Sequence, residues 1–116
     1  MDTKSAIRAL GALAQETRLA IFRILVKRGP RGLAAGAIAE TLELPPSSLS
    51  FHLAQLTQAG LIAQRRESRS LIYSVDFTAM SALMAYLTEN CCEGSPAACL
   101  PAARPTDKPA KARRTA

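Results

Sequence analysis

All three thiols of this 116-residue chain fall in one ten-residue stretch, NCCEGSPAAC, as Cys91, Cys92 and Cys99. Soft thiophilic ions prefer thiolates. As(III) and Sb(III) bind three thiols in a pyramid, which matches the count. Cd(II), Pb(II) or Zn(II) would call for a fourth ligand or a carboxylate such as Glu93. A thiol redox or persulfide switch needs only two cysteines, so that chemistry stays open beside metal or metalloid binding. Neighbouring residues on a helix point about 100° apart, so Cys91 and Cys92 cannot both serve one atom from an intact helix. Gly94 and Pro96 free the backbone after them and let Cys99 fold back. A purely apolar role would suit Cys91, four residues after Leu87, but not Cys92 and Cys99 beside Gly and Pro.

Enzymatic chemistry finds little to work with. A phosphate-cradling Cys/Arg loop needs five residues between its Cys and Arg, whereas four separate Cys99 from Arg104 in a Pro/Ala-rich segment. There is no Gly-rich phosphate loop and no paired acid and base, and no enzyme is expected. The sole histidine, His52, is far in sequence from the thiols and is expected as a half-buried, hydrogen-bonded side chain rather than a metal ligand.

Polar and basic groups point instead toward a polyanion. In PPSSLSFHLAQLTQAG, Leu49, Leu53 and Leu56 form a helical packing stripe, leaving Ser47, Ser48, Phe51 and Gln55 outward and Ser50 near the edge. Ser and Gln can read bases or hold phosphates. Phe51 is expected to tuck against a neighbouring helix rather than meet a thymine methyl. Arg65, Arg66 and Arg69 lie within five residues and would touch phosphates or a minor groove. Arg18, Arg23, Lys27 and Arg28 read as plain surface charges. The formal charge of +6 is uneven: residues 1–100 hold ten Lys/Arg against eight Asp/Glu, and residues 101–116 hold five against one.

Elements must position these groups. SAIRALGALAQ and ETRLAIFRILVKRG read as amphipathic helices, the second stopped by Gly29-Pro30, followed by a loop and a short helix in AAGAIAETLEL. The next helix starts at Pro45-Pro46 and stops at Gly60. Leu61–Arg66 and Ser70–Asp76 form a hairpin around a turn at Glu67-Ser68-Arg69. FTAMSALMAYLTENCC returns to helical spacing until Gly94-Ser95-Pro96. Two short helices joined by a tight turn, then a hairpin, describe a winged helix-turn-helix, mainly α with a β-hairpin wing. Three parts follow: residues 1–92 as the winged helix-turn-helix DNA-binding domain, to which a family resemblance adds dimerisation, 93–100 as a cysteine-containing sensor loop, and 101–116 as a disordered basic tail. The first residues lack a signal-peptide pattern, and no run approaches the ~20 apolar residues of a membrane span. The cytoplasm is therefore the expected compartment, where thiols stay reduced.

Three blocks in order, ALAQETRLAIFRIL, AIAETLELPPSSLSFHLAQLTQAGLI and RRESRSLIYSVD, resemble the ArsR/SmtB family of winged-helix repressors across about residues 5–90. The resemblance implies a homodimer that binds double-stranded operator DNA and releases it when a metal or metalloid binds. It implies DNA contacts at Ser47, Ser48, Ser50, Phe51 and His52 and at the wing arginines. It implies a dimer interface from the first and last helices, at Ile7, Leu10, Leu13, Met80, Leu83, Met84 and Leu87. The family's cysteine-rich sensor in the helix before the recognition helix is missing here, and so is the histidine-bearing site on the last helix. The Cys-Cys pair with a later Cys instead resembles a subset of arsenite-responsive members. As(III), with Sb(III) as a second candidate, is thus the expected effector at Cys91, Cys92 and Cys99. A DNA-binding protein without an effector is the rival reading. Glu43 and Ser68 stand where the family usually has Gly, at a cost in backbone strain.

Overall fold

Asp2 opens the first helix. Its carboxylate accepts from the Ser5 N–H at 2.8 Å, satisfying one of the donors a helix start leaves unpaired, and α1 runs Thr3–Leu13. Gln15 caps α2, Glu16–Arg28, in the same way through Arg18 N–H. Gly29, at φ 72°, closes α2 by donating to the carbonyls of Leu25 and Val26. A single tight turn, Gly29–Arg31, leads into β1, Leu33–Ala34. Then come α3 (Ala35–Leu42), α4 (Pro46–Gln58), β2 (Ile62–Glu67), β3 (Ser70–Val75) and α5 (Phe77–Leu87). The computed structural model describes residues 1–94; the expectations for Cys99 and for the basic segment 101–116 lie outside the described residues.

The winged helix-turn-helix expected from the sequence is present, with two differences. The segment read as a loop after α2 contains β1, which pairs antiparallel with β3 and makes a three-stranded sheet of order β1-β3-β2. Two residues are too short for a hydrophobic period to reveal. Their seat depends on Gly32, at φ 71°, where a Cβ would collide with the Tyr73 carbonyl. The last helix is also shorter than its apolar spacing implies. Thr88 ends α5 by donating to the carbonyls of Met84 and Tyr86, and Asn90 turns the chain at φ 58°. The cysteine pair therefore lies beyond the helix, in a turn at Cys91–Gly94.

Ile21, Leu25, Ile38, Leu56 and Leu61 are fully buried and form the centre of the core. Leu49, Leu53 and Leu56 place α4 on it, as their spacing predicts. In α1 the usual size order is reversed: Ala6, Ala9 and Ala12 face the core, while Ile7 and Leu10 face outward at 64% and 41% exposure. Thr3 and Tyr86 share a hydrogen bond between their hydroxyls, tying α1 to α5. Among the described residues no helix is long and apolar enough to cross a membrane.

Candidate functional site

Steps of about 100° per residue divide α4 into a buried side, an outer ridge and two flanks. Leu49, Leu53 and Leu56 are the buried side. Ser47, Phe51, Ala54 and Gln58 form the ridge, and all four are exposed. Phe51 is 58% exposed, so it does not tuck into a neighbouring helix as expected; the ridge has no neighbour to receive it. Its ring makes a T-shaped contact with His52, with centroids 5.6 Å apart and planes at 69°. Pro46 sits at the helix start, where its missing N–H costs nothing, and no side chain caps that end. Exposed Ser47 and Ser48 thus stand beside unpaired N–H groups, an arrangement suited to phosphate oxygens.

One flank faces the wing. Ser50, Ala54, Thr57 and Gln58 border a cleft of about 290 Å³ whose far wall is Gln64 and Tyr73. The other flank faces α1 and α2. There Gln55 and Gln58 meet Arg8, Gly11 and Arg18 around a cleft of about 360 Å³. Gln55, expected outward, is half-buried on this flank. His52 is half-buried too, with Nδ1 lying 3.4 Å from an Arg18 guanidinium nitrogen. His52 is thus hydrogen-bonded, the state expected of it, whereas Arg18 is not the plain surface charge its sequence context suggests. Arg18 also donates to the Ala12 carbonyl at 2.7 Å. Arg28 is likewise engaged, donating to the Gly32 carbonyl at 3.2 Å.

The wing separates its arginines. β2 and β3 pair from Ile62↔Val75 to Glu67↔Ser70, leaving a two-residue turn of Ser68 and Arg69. Successive strand residues point to opposite faces. Arg66 therefore shares a face with Gln64 and Tyr73, the side toward α4, whereas Arg65 points the other way. Arg65 bonds Glu67 at 2.8 Å and donates to the carbonyls of Arg31 at 2.8 Å and Pro30 at 3.4 Å. It fastens the wing to the turn after α2, a structural role that the sequence did not suggest. Arg66 and Arg69 are exposed, and among the described residues neither forms an ion pair. Gln58 and Gln64 were missed in the sequence. Gln58 was legible, seven residues after Phe51 on the same ridge, while Gln64 needed the strand register.

The expected interface residues fall into two groups. Ile7, Leu10, Met84 (59%) and Leu87 (56%) are exposed apolar side chains on α1 and α5. Leu83, at 6% exposure, is a core residue of the single chain, and Leu13 and Met80 pack against that core. The thiols are only partly in view. Cys91 is half-buried and Cys92 exposed, and Cys92 and Glu93 have left-handed backbones at φ 52° and 58°. Among the described residues, no three His, Cys, Asp or Glu side chains gather as a metal site.

Residues 13–65 match the helix-turn-helix domain family. The transcriptional activator HlyU of Vibrio cholerae is 32% identical over 94 residues, covering 81% of this chain and 84% of that protein. The solved structure of reduced HlyU superposes with a TM-score of 0.61 at 33% identity, over 78% of this chain and 92% of that one. The homodimeric winged helix-turn-helix domain of Mb0332 from Mycobacterium bovis gives 0.60 at 26% identity, over 80% and 86%. A Halobacterium salinarum protein named as a candidate repressor of an arsenical resistance operon is 38% identical over 63 residues, 54% of this chain and 48% of that protein.

Proposed function

Because this chain belongs to the ArsR/SmtB family of winged-helix transcriptional regulators, we propose that it is a homodimeric repressor released from operator DNA by As(III), or by Sb(III), bound at Cys91, Cys92 and Cys99. The α4 ridge enters the major groove, Ser47 and Ser48 hold backbone phosphate, and Arg66 and Arg69 reach the flanking phosphates. The exposed apolar residues of α1 and α5 supply the dimer face, in keeping with the homodimeric Mb0332 domain. The observation that carries the effector reading is the position of the cysteine pair, which starts four residues past the end of α5, with Cys92 in a left-handed backbone. A thiol ligand there acts at the end of a dimerisation helix. It shifts DNA occupancy only by its difference in affinity for the bound and free dimers.

Fluorescence anisotropy of the reduced protein on its own promoter tests this, with As(III), Sb(III), Cd(II) and Zn(II) titrated in turn. Release by As(III), lost in Cys92→Ser, is the expected result. DNA binding indifferent to every ion overturns the metalloid reading. A second reading draws on HlyU, one solved structure of which is of the reduced protein. In that reading two thiols surrender two protons and two electrons to an oxidant and form a disulfide. Release by oxidant and recovery with a thiol reductant, without any response to As(III), would establish it.

A further inference from the structure

Arg18 joins two helices through one guanidinium. Its Nε donates at 2.7 Å to the carbonyl of Ala12, one of the last four in α1 and without a partner inside that helix. Its Nη1 lies 3.4 Å from Nδ1 of His52 on α4. A guanidinium carries five N–H donors and no acceptor. The two groups can bond in only one sense: Arg18 donates, and Nδ1 offers its lone pair. The ring hydrogen then sits on Nε2. The opposite tautomer, or an imidazolium, would set N–H against N–H.

We propose that Arg18 is a positioning residue for DNA readout, which fixes His52 as the Nε2–H tautomer and so makes it a donor toward the nucleic acid. This rests on α4 being the DNA-reading helix. In that state His52 can donate to guanine O6 or N7, to thymine O4 or to a phosphate oxygen. It cannot accept from the amino groups of adenine or cytosine. Phe51 stands in a T-shaped contact with the same imidazole. The Ala12 contact gives the arrangement a second consequence. α1 carries exposed Ile7 and Leu10, so a change in how α1 packs across a dimer reaches His52 through a single side chain.

The chain has one histidine, so the imidazole nitrogens of the whole protein labelled with ¹⁵N-histidine report this residue alone. At a pH where the ring is neutral, wild-type Nδ1 should appear as the unprotonated nitrogen and Nε2 as the protonated one. Arg18→Met, which keeps the aliphatic stem, should show a mixture of tautomers, and Arg18→Lys should restore the wild-type pattern. On DNA, Arg18→Met should lower the preference for promoter over scrambled duplex by about tenfold, the size of one lost base contact. It should add no further loss to His52→Ala. A wild-type spectrum with the hydrogen on Nδ1 overturns the proposal without any variant. So does an Arg18→Met effect that adds in full to His52→Ala. A wild-type protein with no preference for its promoter would instead overturn the reading of α4, and the nitrogen spectrum would still decide the tautomer.

Discussion

Met84 and Leu83 are neighbours on α5, and both were expected at a dimer interface, yet the fold gives them different work. Leu83 is 6% exposed in the single chain and Met84 is 59%. Met84→Ala removes three heavy atoms beyond Cβ. At ~0.8 kcal/mol for each methylene-sized group, scaled by the fraction a partner can still cover, this costs ~1.4 kcal/mol per protomer. A two-fold interface meets the loss twice, giving ~2.8 kcal/mol and a roughly hundredfold weaker dimer. The stability of the protomer itself should hardly change, because Ala is a better helix former than Met and little contact is lost. Leu83→Ala should do the reverse, lowering folding stability by about 2–5 kcal/mol through lost core contact and the cavity left behind. Sedimentation equilibrium over a concentration series reads the first quantity, and denaturant unfolding below the dissociation range reads the second. A dimer constant for Met84→Ala within about threefold of wild type would refute the assignment of this face. Equal loss of folding stability in the two variants would refute the distinction between them.

Further outcomes follow from the geometry. Arg66→Met and Arg69→Met should each reduce the slope of log affinity against log salt by about 0.9, one phosphate contact apiece. Arg65→Met should leave that slope nearly unchanged while speeding hydrogen exchange in β2, since its bonds go to Glu67, Arg31 and Pro30. Residue 43 caps α3 at φ 55°, a left-handed conformation. A Cβ is strained there, so Glu43→Gly should raise stability in thermal unfolding by about 0.5–1 kcal/mol. The Asp2 carboxyl is held below its ordinary range, chiefly by the Ser5 N–H bond. A lowered folded pKa means support for α1 that is complete above the unfolded value and is lost as pH falls through the folded one. Acidification through that window should accelerate amide exchange at Ser5, and Asp2→Asn should remove the pH dependence.

Most of the fold was legible because period and punctuation agreed along the chain. The Leu49/Leu53/Leu56 stripe, the stop at Gly29-Pro30 and the start at Pro46 each reflect local rules that tertiary packing did not override. The errors cluster where a local rule has two outcomes. Apolar spacing in AYLTENCC supports a helix, yet Thr88 and Asn90 end it, and a cap depends on backbone angles that spacing does not encode. Arg65 and Arg66 look alike in sequence. Strand alternation alone says that they part, but which one turns toward α4 depends on register with β3.

The sequence by itself determined the helix order, the hairpin, the face of α4 that packs, and the gathering of all thiols in one ten-residue stretch, since each is written in the type and spacing of near neighbours. Only the tertiary structure decided that Ile7 and Leu10 point away from the core while small alanines face it. It alone decided that Arg65 fastens the wing and that Arg18 reaches across 34 residues to His52. The reason is physical. A side chain's job is set by whichever backbone carbonyl, ring or apolar surface the fold brings within bonding distance. For a long, flexible arginine that partner belongs to another element, whose position only the packed chain defines.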